Sequence, residues 1–278
     1  MKQVIHICLF LIGLNINLFA QSQSSNGPVK IKIETTLGNM VAVLYDDTPL
    51  HRDNFVKNIK EGVYKDLLFH RVIKEFMIQG GDPDSKNAPA DKVLGNGSLG
   101  YTIPAEFKPN HYHKKGVLAM ARQGDDVNPK KESSSCQFYI VHGKVFEDNV
   151  LTMMEDRFNQ QTRNQIFNEF LMKTENAEWL KKAQDAVNAK DNAKLQEVVN
   201  HFSPQIEEEL TKRGKFAFTA EQRKIYTTLG GAPHLDGNYT VFGEITEGHD
   251  VIDKIAAEVT DRYDRPVKNI IMNISIIE

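Results

Sequence analysis

The chain has 278 residues, which is enough for one large domain or two small ones. Hydrophobic residues make up 40% and charged residues 26%, as in an ordinary globular protein, and the formal net charge is −3 without a block of like charges. This charge balance argues against nucleic acid or an anionic membrane surface as the main partner.

Residues 1–20 have the pattern of a secretory signal peptide. Lys2 is followed by an apolar run, and Ala20 precedes a polar stretch. A short positive region, an apolar segment and a small residue at the break predict cleavage near Ala20. An N-terminal membrane anchor is the alternative, but the interrupted run is short for ~30 Å of hydrocarbon. We therefore predict an exported protein, periplasmic or alternatively secreted, in which residues 21–28 form a flexible linker.

The next segment predicts a β-hairpin and a helix. Residues 29–35 alternate apolar and polar side chains, as a half-buried strand does, and residues 40–45 read as its return strand. Thr48 and Pro49 are the residue types of a helix N-cap and first turn, and Gly62 is a suitable end.

Further short strands are predicted along the first half of the chain. Residues 69–82, with the sequence FHRVIKEFMIQGGD, predict two strands joined by a turn and ended by a double glycine. Residues 82–110 are rich in Asp, Pro, Asn and Gly, which favours long loops. Two more strands are predicted at 116–121 and 135–141.

Residues 147–232 differ from the rest of the chain. They are rich in Glu, Lys, Gln and Ala, and their apolar residues recur at helical spacing. Ser203 and Pro204 predict the start of a short helix that ends near Gly214. We interpret this region as an inserted helical subdomain.

The insertion is predicted to end in a capped helix, after which β-structure resumes. Thr219 and Gln222 have the spacing of a capping box. A strand is predicted at 239–245, a helix at 249–259 and a closing strand at 269–277.

Four blocks of the sequence, in the same order, resemble the cyclophilins, which are peptidyl-prolyl cis/trans isomerases. They are residues 69–82, 116–122, 135–140 and 234–243. The resemblance implies a mainly β fold with α-helices: an eight-stranded antiparallel β-barrel capped by two helices. The predicted barrel is then encoded by residues 29–146 and 233–278, and the helical insertion at 147–232 divides it.

The resemblance also implies an isomerase that accelerates the folding of exported proteins by twisting Xaa-Pro peptide bonds. Twisting a planar amide crosses a barrier of ~18–20 kcal/mol but breaks no bond, so we expect no cofactor and no metal. The expected partners are polypeptides that contain Xaa-Pro. We expect no nucleic acid, no stable membrane insertion after signal cleavage, and a monomer.

The family's site residues carry over onto matching positions of this chain. The catalytic residues so predicted are Arg71, Gln79 and Tyr239, and the substrate-binding residues are Phe76, Met77, Ala121, Arg122, Gln137, Tyr139, His234 and Leu235. Arg71 would donate to the prolyl nitrogen, and Gln79 and Gln137 would hold Arg71 and the substrate backbone. The backbone of Ala121 and Arg122 would pair with the peptide as an added strand.

Three positions depart from the family's pattern. Tyr239 stands where the family often has His, and Tyr139 stands where it often has Phe. His234 replaces a common Trp that favours cyclosporin binding, so we predict weak sensitivity to that drug.

Two other interpretations remain open. The pocket could be a non-catalytic module that binds proline peptides, in a chaperone that acts through the helical insertion, or the insertion could be passive. His111 and His113 could share one strand face as a metal site would require, but no third ligand is near in sequence, so we predict a structural pair.

Overall fold

The computed structural model describes residues 28–277, so the predicted signal peptide and most of the predicted linker lie outside the described residues. The strands are β1 (Lys30–Thr35), β2 (Gly38–Leu44), β3 (Leu67–Ile73), β4 (Met77–Gly80), β5 (Thr102–Ile103), β6 (Val117–Met120), β7 (Ser133–Ser134), β8 (Phe138–Val141), β9 (Val241–Glu247) and β10 (Ile271–Ile276). The helices are α1 (Pro49–Lys60), α2 (Asp148–Leu171), α3 (Ala177–Ala189), α4 (Asn192–Arg213), α5 (Ala220–Thr228) and α6 (His249–Ala256).

Eight strands close into an antiparallel barrel, which confirms the predicted fold. Their order around the barrel is β1–β10–β3–β4–β8–β6–β9–β2, and β5 and β7 form a separate two-stranded sheet. The alternation predicted for β1 is present, because Ile31 and Ile33 are fully buried between more exposed neighbours. Closure pairs both edges of every barrel strand, which leaves no open edge for association.

The barrel core is a cluster of aromatic rings closed off by α1 and α6. Phe55 of α1 lies 4.6 Å from Tyr64, 5.2 Å from Phe138 and 5.0 Å from Phe242, measured between ring centroids. Helix α6 buries its apolar face, including Ile252, in the same core. These contacts fix the strands whose residues form the site described below.

The start of α1 lies where Thr48 predicts it, but Thr48 does not cap it through its side chain. The Thr48 hydroxyl donates to the carbonyl of Tyr45 at 3.4 Å. The carboxylate of Glu106 accepts instead, from the backbone N–H groups of Leu50 at 3.1 Å and His51 at 3.0 Å. A residue more than fifty positions away thus satisfies the helix N-terminus.

Helices α2 to α5 occupy the chain between β8 and β9. Helices α2, α3 and α4 share an apolar cluster that includes Ile166, Ala183 and Phe202. Trp179 stacks on His201 with ring centroids 3.8 Å apart. Within residues 28–277, no helix is long and apolar enough to cross a membrane.

The prediction that Ser203 and Pro204 start a short helix is wrong, because both residues lie inside the continuous helix α4. Val198, Phe202, Ile206 and Leu210 are buried at every fourth position along it. A proline in a helix interior costs ~3 kcal/mol. Burying each such side chain contributes ~1.5–3 kcal/mol, so packing outweighs the defect.

Helix α5 has the predicted capping box. The Thr219 hydroxyl accepts from the backbone N–H of Gln222, whose side chain accepts from the Thr219 N–H. Tyr226 of α5 is fully buried with Leu151 and Phe218 in a small cluster against the barrel loops.

Candidate active site

A cavity of about 690 Å³, here called the Arg71 cavity, is lined by the barrel and by residues of the loops 90–96 and 261–265. Nine of the eleven predicted site residues line it: Arg71, Phe76, Met77, Gln79, Ala121, Arg122, Tyr139, Leu235 and Tyr239. Gln137 lines an adjoining cavity of about 490 Å³, and His234 lies beside Phe76 with ring centroids 5.4 Å apart.

Strand register places the predicted catalytic side chains next to one another. Arg71 on β3 pairs with Gln79 on β4, and Gln79 pairs with Tyr139 on β8. Residues directly opposite across antiparallel strands point to the same face of the sheet. Arg71 and the aromatic ring of Tyr139 therefore stand on one side of the barrel wall, with Gln79 between them.

A chain of amide hydrogen bonds holds the Arg71 guanidinium. Arg71 Nη1 donates to Gln79 Oε1 at 3.5 Å, and Gln79 Nε2 donates to Gln137 Oε1 at 3.1 Å. Gln137 Nε2 in turn donates to the carbonyls of Gly95 at 2.9 Å and Gly97 at 2.8 Å. Both N–H groups of Gln137 are thereby used, so its amide positions Gln79 and does not reach a peptide as a donor.

The strand that carries Arg71 is bulged at the preceding residue, His70, where the β3–β4 register shifts between Phe69 and Arg71. His70 lines the cavity but is buried, and neither ring nitrogen has a hydrogen-bond partner among the described residues. Burial lowers the pKa of His70 to about 4, so the imidazole is neutral at pH 7. No sequence pattern around His70 indicates this buried, unpaired state.

Asp264 is a second partner of Arg71 that no local sequence pattern indicates. Its Oδ2 lies 3.6 Å from Arg71 Nε, and both side chains are about 40% exposed. The loop that carries it is fixed next to β3, because the Asp264 carbonyl accepts from Val72 N–H at 2.8 Å. Arg265, which is buried, donates to the carbonyls of Ala88, Pro89, Ala90 and Lys92 and so ties the two cavity loops together.

The same cavity has an apolar part, here called the apolar wall, which consists of Phe76, Met77, Tyr139 and Leu235. All four side chains belong to one packed cluster that also contacts Tyr239. The rings of Tyr139 and Tyr239 meet edge to face with centroids 6.0 Å apart. An apolar concavity beside a few polar donors is the usual form of a small binding site.

The side chain of Arg122 is used within the protein. Its guanidinium lies 4.5 Å from the ring centroid of Tyr239, which is cation–π geometry. Arg122 Nε donates to the carbonyl of Asn238 at 2.7 Å, and Nη1 donates to Asp125 at 2.6 Å. These contacts fix the Tyr239 ring at the rim of the cavity.

The backbone of Ala121 is already paired within the protein. Its N–H donates to the carbonyl of Gln137 at 2.9 Å, and its carbonyl accepts from Ser134 at 2.8 Å. Of the two residues predicted to pair with a peptide, Arg122 is therefore the one whose backbone can take that role.

His111 and His113 face different partners. His111 Nε2 is 2.7 Å from Asp47, and the ring stacks on Tyr45. His113 is buried and its Nδ1 is 2.9 Å from Asp236. Within residues 28–277, no group of three or more His, Cys, Asp or Glu side chains could hold a metal ion.

Comparison with known proteins places this geometry in context. Residues 30–150 and 145–276 match the sequence model of the family described as cyclophilin type peptidyl-prolyl cis-trans isomerase/CLD. A Staphylococcus aureus protein whose name assigns it to the peptidyl-prolyl cis-trans isomerases is 26% identical over 247 residues, which cover 88% of this chain and 90% of that protein. A Streptococcus pyogenes protein named as a bifunctional phosphatase/peptidyl-prolyl cis-trans isomerase is 27% identical over 90% of this chain and 38% of its own length.

Among solved structures, a cyclophilin type peptidyl-prolyl cis-trans isomerase of Cryptosporidium parvum has a similar fold. The TM-score is 0.53 at 18% sequence identity, and the match covers 91% of this chain and 99% of that one. A second structure of the same protein, in the presence of the dipeptide Ala-Pro, matches with a TM-score of 0.51. At this identity the likeness shows the fold alone.

Proposed function

The chain belongs to the cyclophilin-type peptidyl-prolyl cis-trans isomerase family, and we propose that this isomerase accelerates the folding of exported polypeptides with Arg71 as its principal catalytic residue. The observation that carries the assignment of Arg71 is its guanidinium, which Gln79 and Asp264 hold in the Arg71 cavity that the apolar wall also lines.

Catalysis requires that the twisted amide bind better than either planar isomer. In the planar amide the prolyl nitrogen shares its lone pair with the carbonyl, and twisting releases that lone pair. Arg71 stays charged and has a rigid fork of donors. With Nε near Asp264 and Nη1 on Gln79, the remaining N–H groups of Arg71 would donate to the prolyl nitrogen in the twisted state.

The other predicted residues would seat the substrate. The apolar wall would hold the pyrrolidine ring, and Tyr239 would donate a hydrogen bond from the rim. The backbone of Arg122 would pair with the peptide as an added strand. Membership of the peptidyl-prolyl cis-trans isomerase family supports Xaa-Pro segments of polypeptides as the substrate class.

The cellular setting is also a proposal. The signal-peptide pattern of residues 1–20 supports export, to the periplasm or alternatively to the medium. The net charge of −3 supports polypeptide clients over nucleic acid, and we propose that the mature protein acts as a monomer.

Two exposed side chains favour a second, chaperone role for the insertion. Met153 and Met172 are 68% and 71% exposed. Unbranched, polarizable Met side chains suit contact with varied apolar partners. If they hold clients, Met153→Lys with Met172→Lys should weaken suppression of client aggregation and leave peptide turnover unchanged. Equal suppression by the double variant would contradict this role.

The test of the main proposal is cis-to-trans conversion of a short Xaa-Pro peptide by the mature chain and by Arg71→Ala. We expect the substitution to lower kcat/KM by roughly 10²-fold, the scale for removal of one donor to a transition state. Arg262→Ala is the matched control, because Arg262 is an exposed arginine that lines the same cavity and stacks on Tyr263. A folded wild-type protein without turnover, or equal losses in both variants, would contradict the role of Arg71.

A further inference from the structure

We propose that the helical insertion positions the apolar wall of the Arg71 cavity, and so sets the affinity for the proline ring, through Tyr226, Asp236 and His113. This inference rests on the proposed function, because it concerns the seat of the same substrate. It assigns a role in the isomerase site to a residue outside the barrel.

The carboxylate of Asp236 is shared between the insertion and the barrel loops. Tyr226 of α5 donates its hydroxyl to Asp236 Oδ2 at 2.5 Å, and Gln222 Nε2 lies 3.5 Å from the same oxygen. From the barrel side, the His113 N–H donates to Asp236 Oδ1 at 2.8 Å, and His113 Nδ1 lies 2.9 Å from it. Hydrogen bonds to a charged acceptor are the strong kind, so this carboxylate joins the two parts firmly.

His113 carries the connection to the wall itself. With the ring proton on Nδ1 facing Asp236, the other nitrogen Nε2 accepts the hydroxyl of Tyr139 at 3.0 Å. Burial raises the pKa of both Tyr139 and Tyr226 well above 10, so both hydroxyls keep the proton that they donate. A continuous series of donors and acceptors therefore runs from the insertion to the ring that forms part of the wall.

The network also holds a second residue of the apolar wall, Leu235, which directly precedes Asp236 in the chain. Leu235 closes the short 3-10 turn Pro233–Leu235, and Asp236 is the next residue. Fixing the carboxylate of Asp236 therefore fixes the turn that presents Leu235 to the cavity.

Backbone hydrogen bonds also hold the end of the insertion against the barrel loops that carry His113 and Lys144. Ala232 N–H donates to the carbonyl of His113 at 2.8 Å, and Gly231 N–H donates to the carbonyl of Lys144 at 3.0 Å. A Cβ on Gly231 would lie 2.3 Å from the His113 carbonyl oxygen, so only glycine permits this approach. The end of the insertion is thus held against the loop that carries His113, so α5 is packed on the barrel.

The expected kinetic effect follows from what the wall does. The wall contacts the pyrrolidine ring in the planar and twisted states alike, whereas Arg71 acts on the twisted state. Disturbing the wall should therefore raise KM with little change in kcat, since uniform binding is lost. A purely structural role would instead reduce the folded fraction, which lowers the apparent kcat and leaves KM unchanged.

The experiment compares Tyr226→Phe with wild type in the full mature chain, and measures kcat and KM for a capped Xaa-Pro peptide together with the peptide Kd by titration. We expect KM and Kd to rise roughly fivefold, the scale of one lost hydrogen bond. Phe218→Leu is the matched control, because it loosens the same small cluster of α5 without touching Asp236. Its KM should equal that of wild type.

A double-variant cycle tests the connection directly. Tyr139→Phe removes the hydroxyl at the other end of the series, so in the double variant the changes in KM should be less than multiplicative. Unchanged KM and Kd in a folded Tyr226→Phe protein, or multiplicative effects in the double variant, would overturn the inference. If the wild-type protein binds the peptide but does not turn it over, the proposed catalysis is overturned and this inference is not. The Kd values of the same variants would then replace KM in the comparison with wild type.

Discussion

The barrel and the helical insertion are stabilised in different ways. The barrel closes on itself and buries a cluster of aromatic rings that includes Phe55, Phe138 and Phe242. The insertion has a smaller core and is covered by ion pairs such as Arg163–Glu207, which are exposed and contribute little. The placement of Arg71 and Gln79 therefore rests on strand register, whereas the insertion depends on a few buried side chains in α2, α3 and α4.

The first prediction separates the two regions by stability. Phe202→Ala in the core of the insertion should destabilise it by about 3–5 kcal/mol, because it leaves a cavity among α2, α3 and α4. Trp179, the one tryptophan of the chain, lies 6.1 Å from Phe202 and reports on this region by fluorescence. We expect the fluorescence transition in urea to move to a lower urea concentration than the loss of turnover at saturating peptide, which reports kcat. Coincident transitions would show that the insertion and the barrel unfold as one unit.

The second prediction concerns the barrel and its pH dependence. His70 has a pKa of about 4 when folded, below the value of 6.5 expected when unfolded. Between these pH values the unfolded chain binds more protons, so acid favours unfolding. The contribution of His70 should therefore lower the free energy of unfolding by about 3 kcal/mol as pH falls from 7.5 to 4.

His70→Gln keeps a polar side chain but does not titrate, so it tests this contribution. Its free energy of unfolding should fall less steeply with acid than that of wild type, as measured by urea titration at pH 7.5, 6, 5 and 4. Parallel curves for the two proteins would mean that His70 does not carry the acid sensitivity.

The third prediction concerns Pro204, the proline inside helix α4. Pro204 is exposed within the helix, so Pro204→Ala loses no packing and restores a backbone hydrogen bond. We expect the insertion to gain about 2 kcal/mol, less than the full helix-interior penalty because alanine also loosens the unfolded chain. Gln205→Ala, at the next exposed position, should change stability by less than about 0.5 kcal/mol. Equal midpoints for both variants in the Trp179 transition would contradict this.

The fold and the predicted cavity could be anticipated from local patterns, but several partners could not. Residues 69–82 place Arg71 and Gln79 on paired strands within a few positions of each other, so their contact follows from a hairpin. Asp264 lies far along the chain, and only barrel closure brings it to Arg71. The continuity of α4 was also missed, because a local proline rule cannot weigh the buried face that Phe202 and Leu210 form with other helices.

The fourth prediction has the smallest effect on stability and tests whether such a distant contact matters for the site. Asp264→Asn removes the charge beside Arg71 but keeps a residue that tolerates its positive φ of 62°. The pair is exposed, so stability should change by less than about 1 kcal/mol. Turnover should fall by roughly threefold to tenfold, because Gln79 still holds one end of the guanidinium while its orientation is less restricted.

The dependence of turnover on salt concentration tests whether loss of the Asp264–Arg71 ion pair causes this fall in turnover. Added salt weakens an exposed ion pair, so wild-type turnover of an uncharged, capped peptide should decline with ionic strength and approach that of Asp264→Asn. Asp91→Asn, on the other loop of the same cavity, should follow wild type throughout. If the activities of wild type and Asp264→Asn decline in parallel, the carboxylate does not orient Arg71. Gln79 and the barrel strands would then hold the guanidinium without help from the Asp264 side chain.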